Sequence, residues 1–386
     1  MSSTADVIVV GLGAMGSATA SALARRGVRV LGLDAFRPPH DRGSSHGESR
    51  VIRAAYFEHP LYVPLVRRAY ELWRELESRS GRKLLIDTGA LVVGASGSEL
   101  VSGARRSAEE HGVPFESLDR AEIRRRHPVF EPAEDAVGLF EPGAGVLFPE
   151  ASIEAFLGEA ATAGAELRFD EPLESWSAES GSVEALTGRG RYSADRLLLA
   201  GGAWMPALAP GLPLQVERQV LHWFAPRDPR PFAAGALPVF LIDEPATALW
   251  YGIPDLGRGL KVAVHHAGAP ITADTLDRVV HAEDVAAVRR LLRARLPAAD
   301  GPPGRSTVCM YTNTPDGHFL IDEHLDTERV LLLSACSGHG FKFASVLGEL
   351  AADRLMGAPS ALDLTPFRLD RAAMRHAAAW RANAGK

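Results

Sequence analysis

The chain has 386 residues, 46% hydrophobic and 23% charged, with a formal charge of −6, an ordinary globular composition with core enough for about two or three domains. No block of like charge points to a nucleic-acid or anionic-membrane partner, and the basic cluster Arg124–Arg126 is short enough to be a solvated helix face. No apolar run approaches the roughly 20 residues of a membrane span, and no signal-peptide pattern precedes the first strand, so the cytoplasm is the expected compartment.

The segment Asp6 to Asp34 organises the rest. Val7–Val10, apolar and β-branched, predicts a buried strand that runs straight into Gly11, Gly13 and Gly16. Ala14 to Arg26 carries a helical apolar pattern closed by Gly27, and Val28–Leu33 predicts a second strand ending in Asp34. Strand, G-x-G-x-x-G, helix, strand and acid form the dinucleotide-binding βαβ fingerprint. Gly11 allows the tight turn, Gly13 lets a pyrophosphate approach the backbone, and Gly16 lets helix and strand pack closely. The helix N-terminus then faces the phosphates, and Asp34 suits ribose hydroxyls while disfavouring a ribose 2′-phosphate. A glycine turn alone needs no ligand; with both strands and the acid in place, a bound adenine dinucleotide is expected.

After Asp34 comes a loop, Arg37 to Arg50, too polar for core and too rich in His, Ser and Arg for a mere spacer. A long amphipathic helix is predicted for Leu61 to Arg79, then a strand pair for Leu84 to Val93 around Thr88-Gly89. Helices follow near Glu99–His111 and Arg120–His127, and Phe140 to Phe148 is strand-like, broken at Pro142-Gly143. Ser152 is expected to cap a helix running to Gly164. Leu197 to Trp204 reads as a buried strand ending in a double glycine.

From Leu214 to about Arg305 the pattern turns to period two, in Val216–Phe224, Leu249–Ile253 and Gly259–His265. That predicts an antiparallel sheet, followed by helix over Asp274 to Leu296. The chain then returns through strands Phe319–Asp322 and Val330–Leu333 and a helix from Phe343 to Leu355. A nucleotide domain completed from the C-terminus is discontinuous. The expected division is 1–90, 150–213 and 306–386 for that domain, with 91–149 and 214–305 as an inserted substrate domain. The two cysteines, Cys309 and Cys336, lack metal-type spacing, and the 13 histidines include no H-E-x-x-H, so neither a disulfide framework nor a metal site is expected.

Taken together, these segments resemble the monomeric sarcosine oxidase and N-methyltryptophan oxidase family of flavoenzymes. The likeness spans essentially the whole chain. It rests on G-L-G-A-M-G at the first turn, G-S-S-H-G-E-S-R-V-I-R at 43–53, Y-V-P-L at 62–65 and W-Y-G-I-P at 250–254. It continues in G-L-K-V-A-V-H-H at 259–266, C-M-Y-T-N-T-P-D at 309–316 and the most specific block, S-G-H-G-F-K-F-A-S-V-L-G-E-L-A-A-D with D-L-T-P-F-R-L after it. It looks closer to the N-methyltryptophan branch. The implied fold class is α/β with an α+β second domain: an FAD-binding Rossmann-like domain carrying an inserted antiparallel-sheet substrate domain.

The resemblance implies FAD, bound covalently through a cysteine sulfur, and Cys309 is the matching position. From its residue type alone, Cys309 reads first as a small buried apolar group, which the motif reverses, and Cys336 is most simply core. Gly11, Gly13, Ala14, Met15, Gly16 and Asp34 would hold the dinucleotide, with Gly201, Trp204, Gly338, Gly340 and Lys342 along it. Gly43, Ser44, Ser45, His46 and Arg50 match the loop along the flavin ring, where the Arg50 charge would favour the reduced form. Family members oxidise the secondary amine of an N-methyl amino acid to an imine that hydrolyses to formaldehyde and the amino acid, and dioxygen leaves as hydrogen peroxide.

Arg53 and Lys342 match the clamp for the substrate carboxylate, a planar fork and a point charge; read alone, Arg53 is also compatible with a surface ion pair. As an exposed helix-start residue Lys342 would oppose the helix dipole, which argues against that reading. Lys261, in an otherwise apolar strand, is either an edge charge or a functional amine, and the resemblance makes it the dioxygen-activating lysine over the flavin. Period two would put His265 on the same face as Lys261; with Tyr251 and Tyr311 it matches an active-site group, while His266 points away. Residues 225–250 and the turn Asp255–Arg258 depart from the family pattern and leave the side chain of the substrate open. An oxidase of a cyclic imino acid or pathway-specific secondary amine, a flavin dehydrogenase using another acceptor, and a flavin-binding protein without turnover are the alternatives. A monomer acting on a small secondary amino acid and dioxygen, with no nucleic-acid or membrane partner, is expected.

Overall fold

The computed structural model describes residues 5–179, 181–244 and 248–375. The elements open with β1 (Val7–Val10), α1 (Ala14–Ala24), β2 (Val30–Leu33), β3 (Arg50–Ile52), α2 (Tyr62–Ser80), β4 (Leu85–Asp87) and β5 (Ala90–Ala95). Next come α3 (Glu99–His111), β6 (Glu116–Leu118), α4 (Arg120–Arg126), β7 (Ala136–Glu141), β8 (Gly145–Leu147), α5 (Pro149–Thr162) and β9 (Glu166–Arg168). A ribbon follows, β10 (Leu173–Ala178), β11 (Val183–Thr187) and β12 (Gly190–Ala194), then β13 (Arg196–Leu199) and the single turn α6 (Met205–Leu208). The middle of the chain holds β14 (Gln215–Phe224), β15 (Val239–Glu244), β16 (Ala248–Ile253), β17 (Leu260–Val264), β18 (Pro270–Ile271) and α7 (Ala282–Arg295). The last elements are β19 (Pro303–Asn313), β20 (Leu320–His324), β21 (Thr327–Ser334) and α8 (Ala344–Leu355).

Two sheets organise the molecule. The first has the order β20-β21-β13-β1-β2-β9, parallel throughout except for β20. Its central strands β1, β2, β13 and β21 are covered on both faces, which explains their apolar runs. In β1, Val7 and Val9 pack into the core shared with α1 and α8, while Ile8 and Val10 face the core shared with the β10–β12 ribbon. Helix α1 is buried nearly all round, and its small residues let α8 cross it closely: a Cβ on Gly348 would lie 2.6 Å from that of Ala18. The second sheet runs β18-β14-β17-β16-β15-β5-β7-β6, with β19 along the other edge of β14. Phe224, Phe240, Trp250, Val262 and Leu292 pack behind it. The arrangement is α/β, with a parallel nucleotide-type sheet beside a large mixed sheet.

Several elements differ from the sequence expectation for identifiable reasons. The strands predicted around Thr88-Gly89 form, but they belong to different sheets: β4 pairs with β8, and β5 with β7 and β15. Ser152 is not a cap. Helix α5 begins at Pro149, whose missing N–H suits the first turn, and the Ser152 hydroxyl donates back to Phe148 O at 2.7 Å. The helix expected over Asp274 to Leu296 occupies only Ala282–Arg295, capped by His281 and Asp284. The boundary expected after residue 305 falls inside β19, so Cys309, Met310 and Tyr311 reach the centre of the molecule on the large sheet. Among the described residues no helix is long and apolar enough to cross a membrane.

Candidate functional site

A cavity of about 530 Å³ lies between the C-terminal ends of the parallel strands and the inner face of the large sheet. At one end the three glycines do three different things. Gly11 has φ +86°, and a Cβ there would lie 2.5 Å from Ala200 O; a Cβ on Gly16 would strike Gly11 O. At Gly13 a Cβ meets only Ser45 Oγ, at 3.8 Å, so this position is open towards the cavity it lines. Asp34 closes the turn, its Oδ2 accepting from Leu12 N–H at 2.6 Å and its Oδ1 from Phe36 N–H at 2.9 Å. Ala14 and Met15 at the start of α1, and Gly201 and Trp204 after β13, complete this end. An open glycine turn, a helix N-terminus and a buried acid fit an adenine dinucleotide.

The middle of the cavity is lined by Gly43, Ser44, Ser45, Ser49, Arg50, Cys309 and Cys336. Arg50 ties its loop together, donating from Nη2 to Ser44 O at 2.7 Å and from Nη1 to Ser49 O at 2.8 Å. Cys309 Sγ is 3.7 Å from Ser44 O and packs against Leu221, Trp223 and Ala263. His46 is buried behind this wall rather than in it, and burial, reinforced by Arg50, pushes it down to about 3. Lys261 is likewise outside the lining. Its Nζ donates to Gly47 O at 2.7 Å, Ser49 O at 2.8 Å and Ser49 Oγ at 3.2 Å, and burial followed by the Arg50 charge holds it well below the ordinary lysine range. Lys261 and His265 keep the expected common face: Lys261 and Ala263 stand opposite Ile253 and Tyr251, His265 N–H continues the pairing to Leu249 O at 2.8 Å, and the chain turns only at His266, where φ is +54°.

At the far end Arg53, Glu58, Tyr251, His265, Tyr311, Gly338, His339 and Lys342 converge. Tyr251 and Tyr311 come from neighbouring parts of the large sheet, and His265 Nδ1 stands 3.3 Å from the Tyr311 hydroxyl. Burial, then His266, lowers His265 to about 3, so its imidazole is neutral. Gly338, with φ +75°, leaves no room for a side chain: a Cβ would lie 2.7 Å from His265 Cε1 and 2.9 Å from the Tyr311 ring. Gly340 is a packing residue, its missing Cβ admitting Ala335 O.

Arg53 is 3% exposed and stacks over the rings of Tyr56 and Phe57. It is an ion-pair partner, but a buried one, bound to Glu58. Burial works to raise the Glu58 carboxyl, and the Arg53 charge overturns this, holding it at about 2. Lys342 sits in the turn Phe341–Phe343 before α8 and is 5% exposed. Burial and then Arg53 lower it to about 7. Spacing alone left out Glu58, Tyr56 and His339; the only available signal was the presence of His339 inside the glycine block before Lys342.

A glycine turn opening into a cavity walled by a mixed sheet, with buried cations at the far end, defines the class of flavin-dinucleotide oxidoreductases. The chain belongs to the FAD dependent oxidoreductase family, whose sequence profile matches residues 6–354. It is 43% identical over 360 residues to a monomeric sarcosine oxidase of Streptomyces avermitilis, covering 92% of this chain and 94% of that protein. It is 36% identical over 368 residues to an N-methyl-L-tryptophan oxidase of Yersinia pestis, covering 95% and 99%. Among solved structures it is similar to NikD, an amino acid oxidase essential for nikkomycin biosynthesis, with TM-score 0.84, 25% identity and coverage of 95% and 98%.

Proposed function

We propose that this chain is an FAD-dependent oxidase of N-methyl amino acids. FAD, when bound, supplies the two-electron oxidation of the amine to an imine and the return of those electrons to dioxygen, giving hydrogen peroxide; water then splits the imine into formaldehyde and the amino acid. The observation that carries the reading is the pair of buried cations, Arg53 and Lys342, lining the same cavity as the dinucleotide turn. A carboxylate bound there gains a planar fork and a point charge away from water. Tyr251, Tyr311 and the neutral His265 border the amine and exclude solvent around it. A neutral imidazole adds no repulsion against a cationic amine and can accept a hydrogen bond from it.

In this reading Gly11, Gly13, Ala14, Met15, Gly16 and Asp34 hold the nucleotide end of FAD. Gly43, Ser44, Ser45, Arg50, Gly201, Trp204, Gly338 and Gly340 follow its length, His46 packs behind that loop, and Cys309 carries a thioether to the flavin. Lys261 favours reduction of dioxygen from behind the Gly47–Ser49 backbone. The parallel sheet serves the cofactor and the large sheet the substrate, in a cytoplasmic monomer. The test is anaerobic bleaching of the purified yellow protein by sarcosine, N-methyltryptophan, N-methylphenylalanine, proline and pipecolate. Rapid bleaching by an N-methyl amino acid, with colour and peroxide returning in air, is expected. Bleaching only by a cyclic imino acid, or none by any of the five, overturns the N-methyl assignment.

A further inference from the structure

Behind Lys342 a chain of hydrogen bonds determines where each proton stands. His339 Nε2 lies 3.0 Å from Gly317 O, and a carbonyl only accepts, so Nε2 carries a hydrogen. The ring is packed against Phe319 and Tyr62, and burial, opposed by Glu58 and reinforced by Lys342, lowers its pKa to about 4. At neutral pH the ring is uncharged and Nδ1 is bare. The Tyr56 hydroxyl, 2.6 Å from Nδ1, therefore donates its only hydrogen there. Its oxygen remains an acceptor, and Lys342 Nζ lies 3.3 Å from it and 2.6 Å from His339 O. Two ammonium hydrogens are taken up in this way, and a third is left for the cavity.

We propose that His339 is a positioning residue for the substrate carboxylate: by drawing the Tyr56 hydrogen onto Nδ1 it presents an oxygen lone pair to Lys342, which keeps that lysine charged and aimed into the cavity. The inference rests on Lys342 being half of the carboxylate clamp. The other ionisable groups facing Lys342 are Arg53, Glu58 and Arg50. Burial, Arg53 and Arg50 disfavour the ammonium and Glu58 favours it, so acceptors from Tyr56 and His339 O supply what the surroundings otherwise withhold. Without the Nδ1 acceptor, the Tyr56 hydroxyl turns to His339 O, 3.5 Å away, and competes with Lys342 for it.

The sign follows directly. The ammonium is present below about 7 and lost above it, so carboxylate affinity is full at lower pH and fades as pH rises through that value. The experiment is a titration of the holoenzyme with propionate, which has no amine to oxidise, read as flavin absorbance perturbation from about pH 5.5 to 9. His339→Phe is expected to move the midpoint of the alkaline loss down by about one unit, a tenfold weaker affinity on that limb, for one hydrogen bond to a charged group. His339→Asn, whose amide oxygen stands near the Nδ1 position, should recover most of the shift. Tyr56→Phe should show the same downward shift, and His339→Phe should add nothing to it. An unmoved midpoint in His339→Phe, or equal shifts with and without the Tyr56 hydroxyl, overturns the inference. Should His339→Phe not fold, an unmoved midpoint in Tyr56→Phe does so. If Lys342→Met binds propionate like the wild type, the clamp reading itself falls, whatever His339 does.

Discussion

Arg53 Nη2 donates to both carboxylate oxygens of Glu58, at 2.9 and 2.7 Å, while Nη1 donates to Ala55 O at 2.9 Å. On the proposed reading, Arg53 therefore meets an incoming carboxylate already paired. Glu58 keeps a buried guanidinium neutralised and, if Arg53 binds the substrate carboxylate as proposed, has to share it. Glu58→Gln leaves that cation unpaired, with an expected stability loss of about 3–5 kcal/mol. A saturating carboxylate should return more melting temperature to the variant than to the wild type. Equal gains in the two proteins would show that Glu58 and the ligand do not compete.

Lys261 is held by three acceptors on the Gly47–Ser49 segment, and Ser49 lines the cavity. Its amine therefore lies one layer of backbone from the cavity. Lys261→Met should slow reoxidation of the reduced protein by air about 10²-fold, the scale of removing one preorganised charge-stabilising group. Reduction by substrate should stay within a few-fold of wild type. Stopped-flow of the two half-reactions separates these effects, and equal slowing of both would remove the assigned role.

Cys309 is buried in the wall beside the Ser44 loop and lines the cavity, the place from which the proposed thioether would form. Acid precipitation should leave the flavin with wild-type protein and release it from Cys309→Ser. Release from both would show that attachment is not covalent.

Gly338 has a left-handed φ and touches His265 and Tyr311 together. Gly338→Ala adds strain and pushes both rings, and a displacement on the ångström scale costs about 10²-fold in rate. The expected result is a yellow, folded protein whose rate of substrate reduction falls by that factor. Activity near wild type would mean that the two rings are not placed by this glycine.

The dinucleotide turn was legible because its information is local. Strand, glycines, helix and Asp34 lie within one short stretch, and Gly11 and Gly16 do jobs that only a missing Cβ permits. Arg53, Lys342, Tyr251 and Tyr311 were named from linked motifs and do converge on one cavity. Their partners were not legible. Nothing in spacing announces that Glu58 neutralises Arg53 or that His339 reaches Lys342 through Tyr56.

Sequence determined the α/β class and the nucleotide turn, since apolar period and glycine placement are written along the chain, and it named Arg53 and Lys342 only through the motifs of the resemblance. Tertiary structure alone decided that β4 and β5 join different sheets, that β19 carries Cys309 in on the large sheet, and that Lys261 turns towards Gly47 and Ser49 rather than into the cavity. Period two reports which face a residue takes, but strand partners and proton positions are set by register and by contacts between segments far apart in the chain.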